Sequence, residues 1–357
     1  MELYYYGLTD PGMIRANNED YLFAGKIRKN EYLFIVADGM GGHQAGEVAS
    51  RKAVSLFIRQ VEKQKAFANP ENSSIIPGEL ERIVININET LMQEGNRSPK
   101  KSGMGTTLSA LYINNDRGYI VHVGDSRIYL LTGPRNSLAP HNSPGSGAGT
   151  NPGTNPGTDP GTTTKQLRQL TEDHSFVAKL LKDGLITEEE ARSHPKRNVL
   201  YQSVGIKPDI TIYSLDAIPL RKGQKFLLCS DGLYGVVPDQ EIKEYLSGHS
   251  TELIAQQLVK RAKFNGGPDN ISVIVVSTEK NETLELTDTV KIPTPPPKKR
   301  KKNKLWRFML LVLLVLLLAL MIYFLLLDAG DNAPPLPGTG ETSIAKTLGP
   351  GELPGKR

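Results

Sequence analysis

Four aspartates stand at the ends of apolar runs, and that pattern constrains the fold more than anything else in the chain. Asp38 follows Tyr32-Leu33-Phe34-Ile35-Val36-Ala37, Asp125 follows Tyr119-Ile120-Val121-His122-Val123-Gly124, and Asp231 follows Phe226-Leu227-Leu228-Cys229-Ser230. Asp269 stands before Ile271-Ser272-Val273-Ile274-Val275-Val276. Short apolar runs rich in β-branched residues and bounded by Gly and Asp read as buried strands. Four carboxylates then lie at strand ends. If those ends meet on one rim, they make a set of hard oxygen ligands suited to a divalent cation.

Helices are expected between the strands. Val54, Phe57, Ile58 and Val61 follow the i, i+3, i+4, i+7 spacing of one buried face, as do Leu80, Ile83, Val84 and Ile87. Further helices are expected over 252–263, 176–181 and 188–192. The strands expected over 108–113, 118–123 and 127–131 are separated by only a few residues. That spacing favours antiparallel hairpins over β-α-β alternation.

The globular part is expected to span 1–280. Within it, 134–164 is almost entirely Pro, Gly, Asn, Ser and Thr and includes three successive Pro-Gly-Thr repeats. Such a stretch buries too little apolar surface to offset its ordering entropy, so it reads as a disordered insertion in a hairpin. Loop closure cost grows only logarithmically with length, and a fold tolerates it.

Beyond the globular part, 281–307 reads as a Pro-rich, then basic, linker. Residues 308–327 carry no charge, Gly or Pro, and at about 1.5 Å per residue a helix of that length spans roughly 30 Å, a bilayer core. The expectation is one transmembrane helix. The basic block precedes it, so the positive-inside rule puts the N-terminal side in the cytoplasm and the Pro- and Gly-rich tail, 328–357, outside. The same block could be read as a nuclear import or nucleic-acid patch, but its place against an apolar span favours the topogenic role.

The net charge of +5 comes from that block, and the remainder is slightly acidic. This counts against nucleic-acid binding by the globular part. One cysteine excludes an internal disulfide. The six histidines are scattered without metal-ligand spacing, which disfavours a zinc site. Composition and spacing alone stop at a metal-dependent hydrolase or metal-binding domain.

The motifs go further. They are Thr9-Asp10-Pro11-Gly12 with Arg15, Asn18-Glu19-Asp20, Ala37-Asp38-Gly39-Met40-Gly41-Gly42-His43 with Gly46-Glu47, and Gly103-Met104-Gly105-Thr106-Thr107. Gly124-Asp125-Ser126-Arg127, Leu170-Thr171-Glu172-Asp173-His174-Ser175, Ser230-Asp231-Gly232-Leu233 and Asp269-Asn270-Ile271-Ser272 follow in order. In this series the chain resembles the metal-dependent Ser/Thr protein phosphatases of type 2C, particularly the bacterial branch. The resemblance implies an α+β fold of two stacked antiparallel sheets flanked by helices in four layers. It implies two manganese or magnesium ions, with Asp38 bridging them and the Gly39 carbonyl on one. Asp231 and Asp269 would complete the second, and Asp125 with Asp231 would hold a third, weaker ion. Glu19 and Asp20 would act through bound waters, with Asn270 behind the set, and Arg15 would take the substrate phosphate.

The implied reaction is hydrolysis of phosphoserine and phosphothreonine by direct attack of a metal-bridging hydroxide. In eukaryotic relatives a histidine stands two residues after the bridging aspartate. Here that position is Met40, and His43 is the candidate general acid. Phosphoproteins are the implied substrates and a membrane Ser/Thr kinase the implied counterpart in signal transduction. The alternatives are a catalytically silent phosphoprotein-binding scaffold and a phosphatase for a phosphoserine regulator of an anti-sigma-factor pathway. The segment 176–202 resembles the flap beside the site in bacterial members.

Overall fold

The computed structural model describes residues 1–280 except 42–44, 69, 134–164 and 249. The chain divides between Asp288 and Thr289, and every described residue belongs to the first part. The expected insertion at 134–164, the linker, the span at 308–327 and the tail therefore lie outside the described residues. Among those described, no helix is long and apolar enough to cross a membrane.

The strands are β1 Tyr4–Asp10, β2 Tyr21–Arg28, β3 Glu31–Ala37, β4 Gly39–Met40, β5 Gly105–Thr106, β6 Leu108–Asn114, β7 Arg117–Val123, β8 Arg127–Thr132, β9 Gln166–Gln169, β10 Tyr213–Pro219, β11 Lys225–Cys229 and β12 Ile271–Ser277. The helices are α1 Ala45–Lys63, α2 Ile76–Arg97, α3 Phe176–Lys182, α4 Glu188–Ser193, α5 Asp231–Tyr234, α6 Asp239–Leu246 and α7 Thr251–Phe264. Two five-stranded sheets form, in the orders β1-β12-β11-β8-β9 and β10-β7-β6-β3-β2, with β4 and β5 as a separate small ribbon. Neighbouring strands are antiparallel throughout.

Alternation within single strands builds the layers. Along β3, Phe34 and Val36 join Leu111, Ile113 and Ile120 against Ile128, Phe226, Leu228, Ile274 and Val276 of the other sheet. The intervening Leu33, Ile35 and Ala37 face α1 and α2 through Ala49, Val54, Phe57, Ile83 and Ile87. The other sheet presents Leu227, Val273 and Val275 to Leu246, Ile254 and Leu258. A strand covered on both faces needs apolar residues at every position, which is why these runs are unbroken in the sequence. The result is helix, sheet, sheet, helix.

Three strand junctions differ in kind. β6 and β7 form a hairpin, Leu108 opposite Val123. β8 pairs with β9, Thr132 opposite Gln166, so the two sides of 134–164 are hydrogen-bonded neighbours. The step from β7 to β8 is not the hairpin expected from its length. β8 pairs with β11 in the other sheet, and Gly124-Asp125-Ser126 carries the chain across. Gly124, at φ +111°, supports that turn.

Candidate metal centre

Strand direction brings the acidic residues to one rim. Tyr21 pairs with Ala37, Val36 with Ser109, and Val123 with Leu108. Asp20, Asp38, Thr107 and Gly124-Asp125 therefore leave one sheet at the same end. In the other sheet Cys229 pairs with Val273 and Asp10 with Ile271, which places Asp231, Asp269 and the 11–19 loop together. Cys229 also pairs with Arg127, so the crossing at Asp125 joins the two rims.

Backbone hydrogen bonds and close glycine contacts hold Asp38 and Gly39 in place. The Asp38 N–H donates to Thr107 Oγ1 at 2.8 Å, and the Asp38 carbonyl accepts from Thr106 Oγ1 and the Thr107 N–H, both at 2.8 Å. The Gly39 N–H donates to the Glu19 carbonyl at 3.2 Å. Gly39 and Gly46 touch backbone to backbone: a Cβ on Gly39 would strike the Gly46 carbonyl, and one on Gly46 would strike the Glu19 carboxylate. These two glycines let the start of α1 close against the Glu19 loop.

Asn270 fastens that loop from the opposite sheet. Its Oδ1 accepts from the Glu19 N–H at 2.8 Å, and its Nδ2 donates to the carbonyls of Pro11 and Asn17 at 3.1 and 2.9 Å. Gly12 has φ +80°, and a side chain there would run into the Asp269 carbonyl. Arg15, midway along the loop, donates from Nη2 to Asp269 Oδ2 at 2.9 Å with about half of its side chain in solvent.

Two further carboxylates carry unpartnered oxygens. Asp20 Oδ2 accepts from Ser230 Oγ at 2.8 Å, while Asp20 Oδ1 and Asp231 Oδ1 are buried without a hydrogen-bond partner. Asp125 is buried, and its carbonyl accepts from the Tyr234 hydroxyl at 3.0 Å. Behind it, Arg127 grips Asp173 through Nε and Nη2, at 2.7 to 3.1 Å. The Arg127 guanidinium lies 3.7 Å from the Tyr234 ring centre.

The electrostatics follow from crowding acids away from water. Burial first, then the charges of Asp20, Asp231, Asp125 and Asp269, push Asp38 well above the carboxylate range. Asp20 is pushed up to about 7 by burial, against the hydrogen bonds of Ser272 and Ser230 and with the charges of Asp231 and Asp269. Asp231 rises to about 6, from burial and then Asp269. Asp125 rises well above its ordinary value through burial, Asp231 and Asp173, with Arg127 opposing. Asp38 and Asp231 nevertheless keep part of their surface open.

This is the environment a divalent cation reverses. The donors are all oxygen, two of them lack partners, and the charge of Asp231 raises Asp20, Asp38 and Asp125. Among the described residues no three carboxylate or imidazole side chains stand in a closed ligand set. Magnesium and manganese do not require one, since such ions are commonly held by one or two carboxylates and complete their shells with water and carbonyl oxygens. The residues fit such ions.

Of the sequence-derived set, Arg15, Glu19, Asp20, Asp38, Gly39, Asp125, Asp231, Asp269 and Asn270 all stand on this rim. His43 lies outside the described residues. Sequence assigns no role to Asp173 or Tyr234, yet Tyr234 holds the Asp125 carbonyl and Asp173 pairs with Arg127 behind it. No spacing signal could reveal them, because Asp173 lies 46 residues from Arg127 and Tyr234 lies 109 from Asp125.

Two antiparallel sheets flanked by helices, with a rim of buried acids whose oxygens suit hard cations, define the class as α+β. The chain belongs to the protein phosphatase 2C family, whose model matches residues 15–263. It is 34% identical over 272 residues to the serine/threonine phosphatase stp of Listeria monocytogenes, covering 76% of this chain and 94% of that one. The crystal structure of the Mycobacterium tuberculosis serine/threonine phosphatase PstP/Ppp superposes with a TM-score of 0.61 at 32% identity, over 78% of this chain and 99% of the other. The catalytic domain of PstP in complex with 2 manganese ions gives 0.58 at 31% identity, over 77% and 97%. The protein is a Ser/Thr protein phosphatase of this family.

Proposed function

We propose that this phosphatase is a divalent-metal enzyme that cleaves phosphoserine and phosphothreonine esters by one direct displacement and opposes a membrane-bound Ser/Thr kinase. The observation that carries the metal reading is the pair of orphaned oxygens, Asp20 Oδ1 and Asp231 Oδ1, inside a cluster of mutually repelling acids. A buried polar atom without a partner costs free energy, and a coordinated or water-linked cation removes that cost. Asp38, Asp231, Asp269 and the Gly39 carbonyl would hold two ions, and Asp125 with Asp231 a third. Glu19 and Asp20 would act through waters.

When bound, manganese or magnesium supplies Lewis-acid polarisation of phosphorus and an activated water. The remaining work falls to the chain. Arg15 exchanges its Asp269 contact for the substrate phosphate, whose paired oxygens suit a guanidinium fork. Thr106, Thr107 and Asn270 hold the ligand-bearing loops in place. A cysteine nucleophile has no support: Cys229 is fully buried in β11, and burial pushes its thiol up. His43 is the proposed proton donor to the departing alkoxide, on the sequence resemblance.

We place the enzyme at the inner face of a cell membrane, held by 308–327 with 328–357 outside. The support is the uncharged run and the basic block before it.

The catalytic reading is tested on the full chain with p-nitrophenyl phosphate. Manganese should support turnover, a chelator should stop it, and Asp38→Asn should lose at least about 100-fold, the scale of one lost transition-state contact of this kind. Full activity in Asp38→Asn, or no response to chelation, refutes it.

A further inference from the structure

Two large apolar side chains stand in the open beside Arg15. Met13 is 62% exposed and Ile14 73%. The loop that carries them is fastened before and after Ile14. The Gly12 N–H donates to Asp10 Oδ1 at 2.9 Å, the Met13 N–H donates to the Gly267 carbonyl at 2.8 Å, and Asn270 holds the carbonyls of Pro11 and Asn17. Burying apolar surface is favourable, and these two side chains leave most of theirs in solvent. Single exposed apolar residues are ordinary. Here two stand in succession, immediately before Arg15 in the sequence, on a loop held at Gly12, Met13 and Asn17.

We infer that Met13 and Ile14 are specificity-determining residues that read the neighbours of the phosphorylated side chain. They favour a phosphopeptide with an aliphatic or aromatic residue within two positions of the phosphoserine or phosphothreonine. The inference rests on Arg15 taking the phosphate. Successive Cα atoms lie about 3.8 Å apart, and an extended peptide advances about 3.3–3.6 Å per residue. A substrate whose phosphate meets Arg15 would have its near neighbours within reach of Ile14 and Met13, the two residues before that arginine. The flexible thioether of Met13 accommodates more than one side-chain shape, so the preference is for apolar character rather than for one residue.

The test uses the full chain with manganese and two phosphothreonine peptides that differ only in carrying Leu or Ser at the positions next to the phosphothreonine. The wild-type protein should favour the Leu peptide in kcat/KM by about 10-fold, the lower end of what one apolar contact gives in a closed pocket. Ile14→Ser should bring the ratio below about 2-fold on the same scale, and Ile14→Leu should keep it. Turnover of p-nitrophenyl phosphate, which has no flanking residues, reports whether each variant is folded. Where Ile14→Ser loses that turnover, Met13→Gln decides by the same ratio. Equal rates on the two peptides in the wild type, or a ratio that survives both polar substitutions, overturn the inference. Arg15→Ala separates it from the underlying reading. If that variant retains full activity on the aryl phosphate and both peptides, the role given to Arg15 fails, whatever the peptide ratio shows.

Discussion

Replacing Asp20 with asparagine should make the metal-free protein more stable at high pH and less stable at low pH. Asp20 in the folded protein is pushed up to about 7 from an ordinary value of 3.8. Between those values the folded protein holds more proton at this site than the unfolded chain does. Its stability therefore falls as pH rises through that window. At 1.36 kcal/mol per pH unit the full cost above pH 7 is about 4 kcal/mol, shared with the Asp231 and Asp269 charges that face the group. Asparagine abolishes the charge and keeps an oxygen for the Ser230 hydroxyl, but its NH2 takes the place of the partnerless Oδ1. An unpaired buried donor returns about 1–3 kcal/mol of that gain.

The net expectation is a gain of about 2 kcal/mol at pH 8, or roughly 4 °C in Tm for a domain of this size. Near pH 4 the sign reverses, because only the amide penalty remains. Thermal unfolding of wild type and Asp20→Asn in chelator, followed from pH 4 to pH 8, reads this directly. The two Tm curves should cross, and manganese should raise the wild-type Tm more than that of the variant. A difference independent of pH, or a variant less stable throughout, refutes the account of Asp20 as a strained acid awaiting a cation.

Asn270→Ala removes three hydrogen bonds to the 11–19 loop and should cost about 2–4 kcal/mol by urea unfolding, at roughly 1 kcal/mol per bond. A change below about 0.5 kcal/mol, the level of an ordinary surface substitution, would show that the loop holds without it. Protease added outside intact cells should trim 328–357 and spare the catalytic domain, and cleavage of the catalytic domain instead would reverse the proposed orientation.

The parts of the site that sequence revealed and the parts it hid differ for a physical reason. Buried strands announce themselves because both faces are covered, and β3, β6, β7, β11 and β12 read as apolar runs. β1, β2 and β10 are half exposed along most of their length, which dilutes the period-two signal. β10 also carries a register shift between Leu215 and Ile218, with Ala217 at φ +42°. Helix faces were legible where packing is one-sided, as in Leu80, Ile83, Val84 and Ile87, all buried. The step from β7 to β8 departs from the expected hairpin because a three-residue connection suits a hairpin or a change of sheet equally. What decides is non-local: Gly124 turns against Thr107, and its N–H and carbonyl bond to His174 across 50 residues.

The convergence of the aspartates follows from strand direction alone once the pairing is known. In an antiparallel sheet, the end of one strand and the beginning of its neighbour share a rim. Asp20 stands before β2 and Asp38 after β3, which pair; Asp125 stands after β7, whose partner β6 begins just beyond Thr107. Asp231 follows β11 and Asp269 precedes β12, which pair in the other sheet. Every one of these positions satisfies the same parity. The short crossing at Asp125 then sets β8 beside β11 and brings the second rim against the first. Helix-bearing crossovers between these strands would have separated the two rims, so the misread junction is the one on which assembly of the site depends.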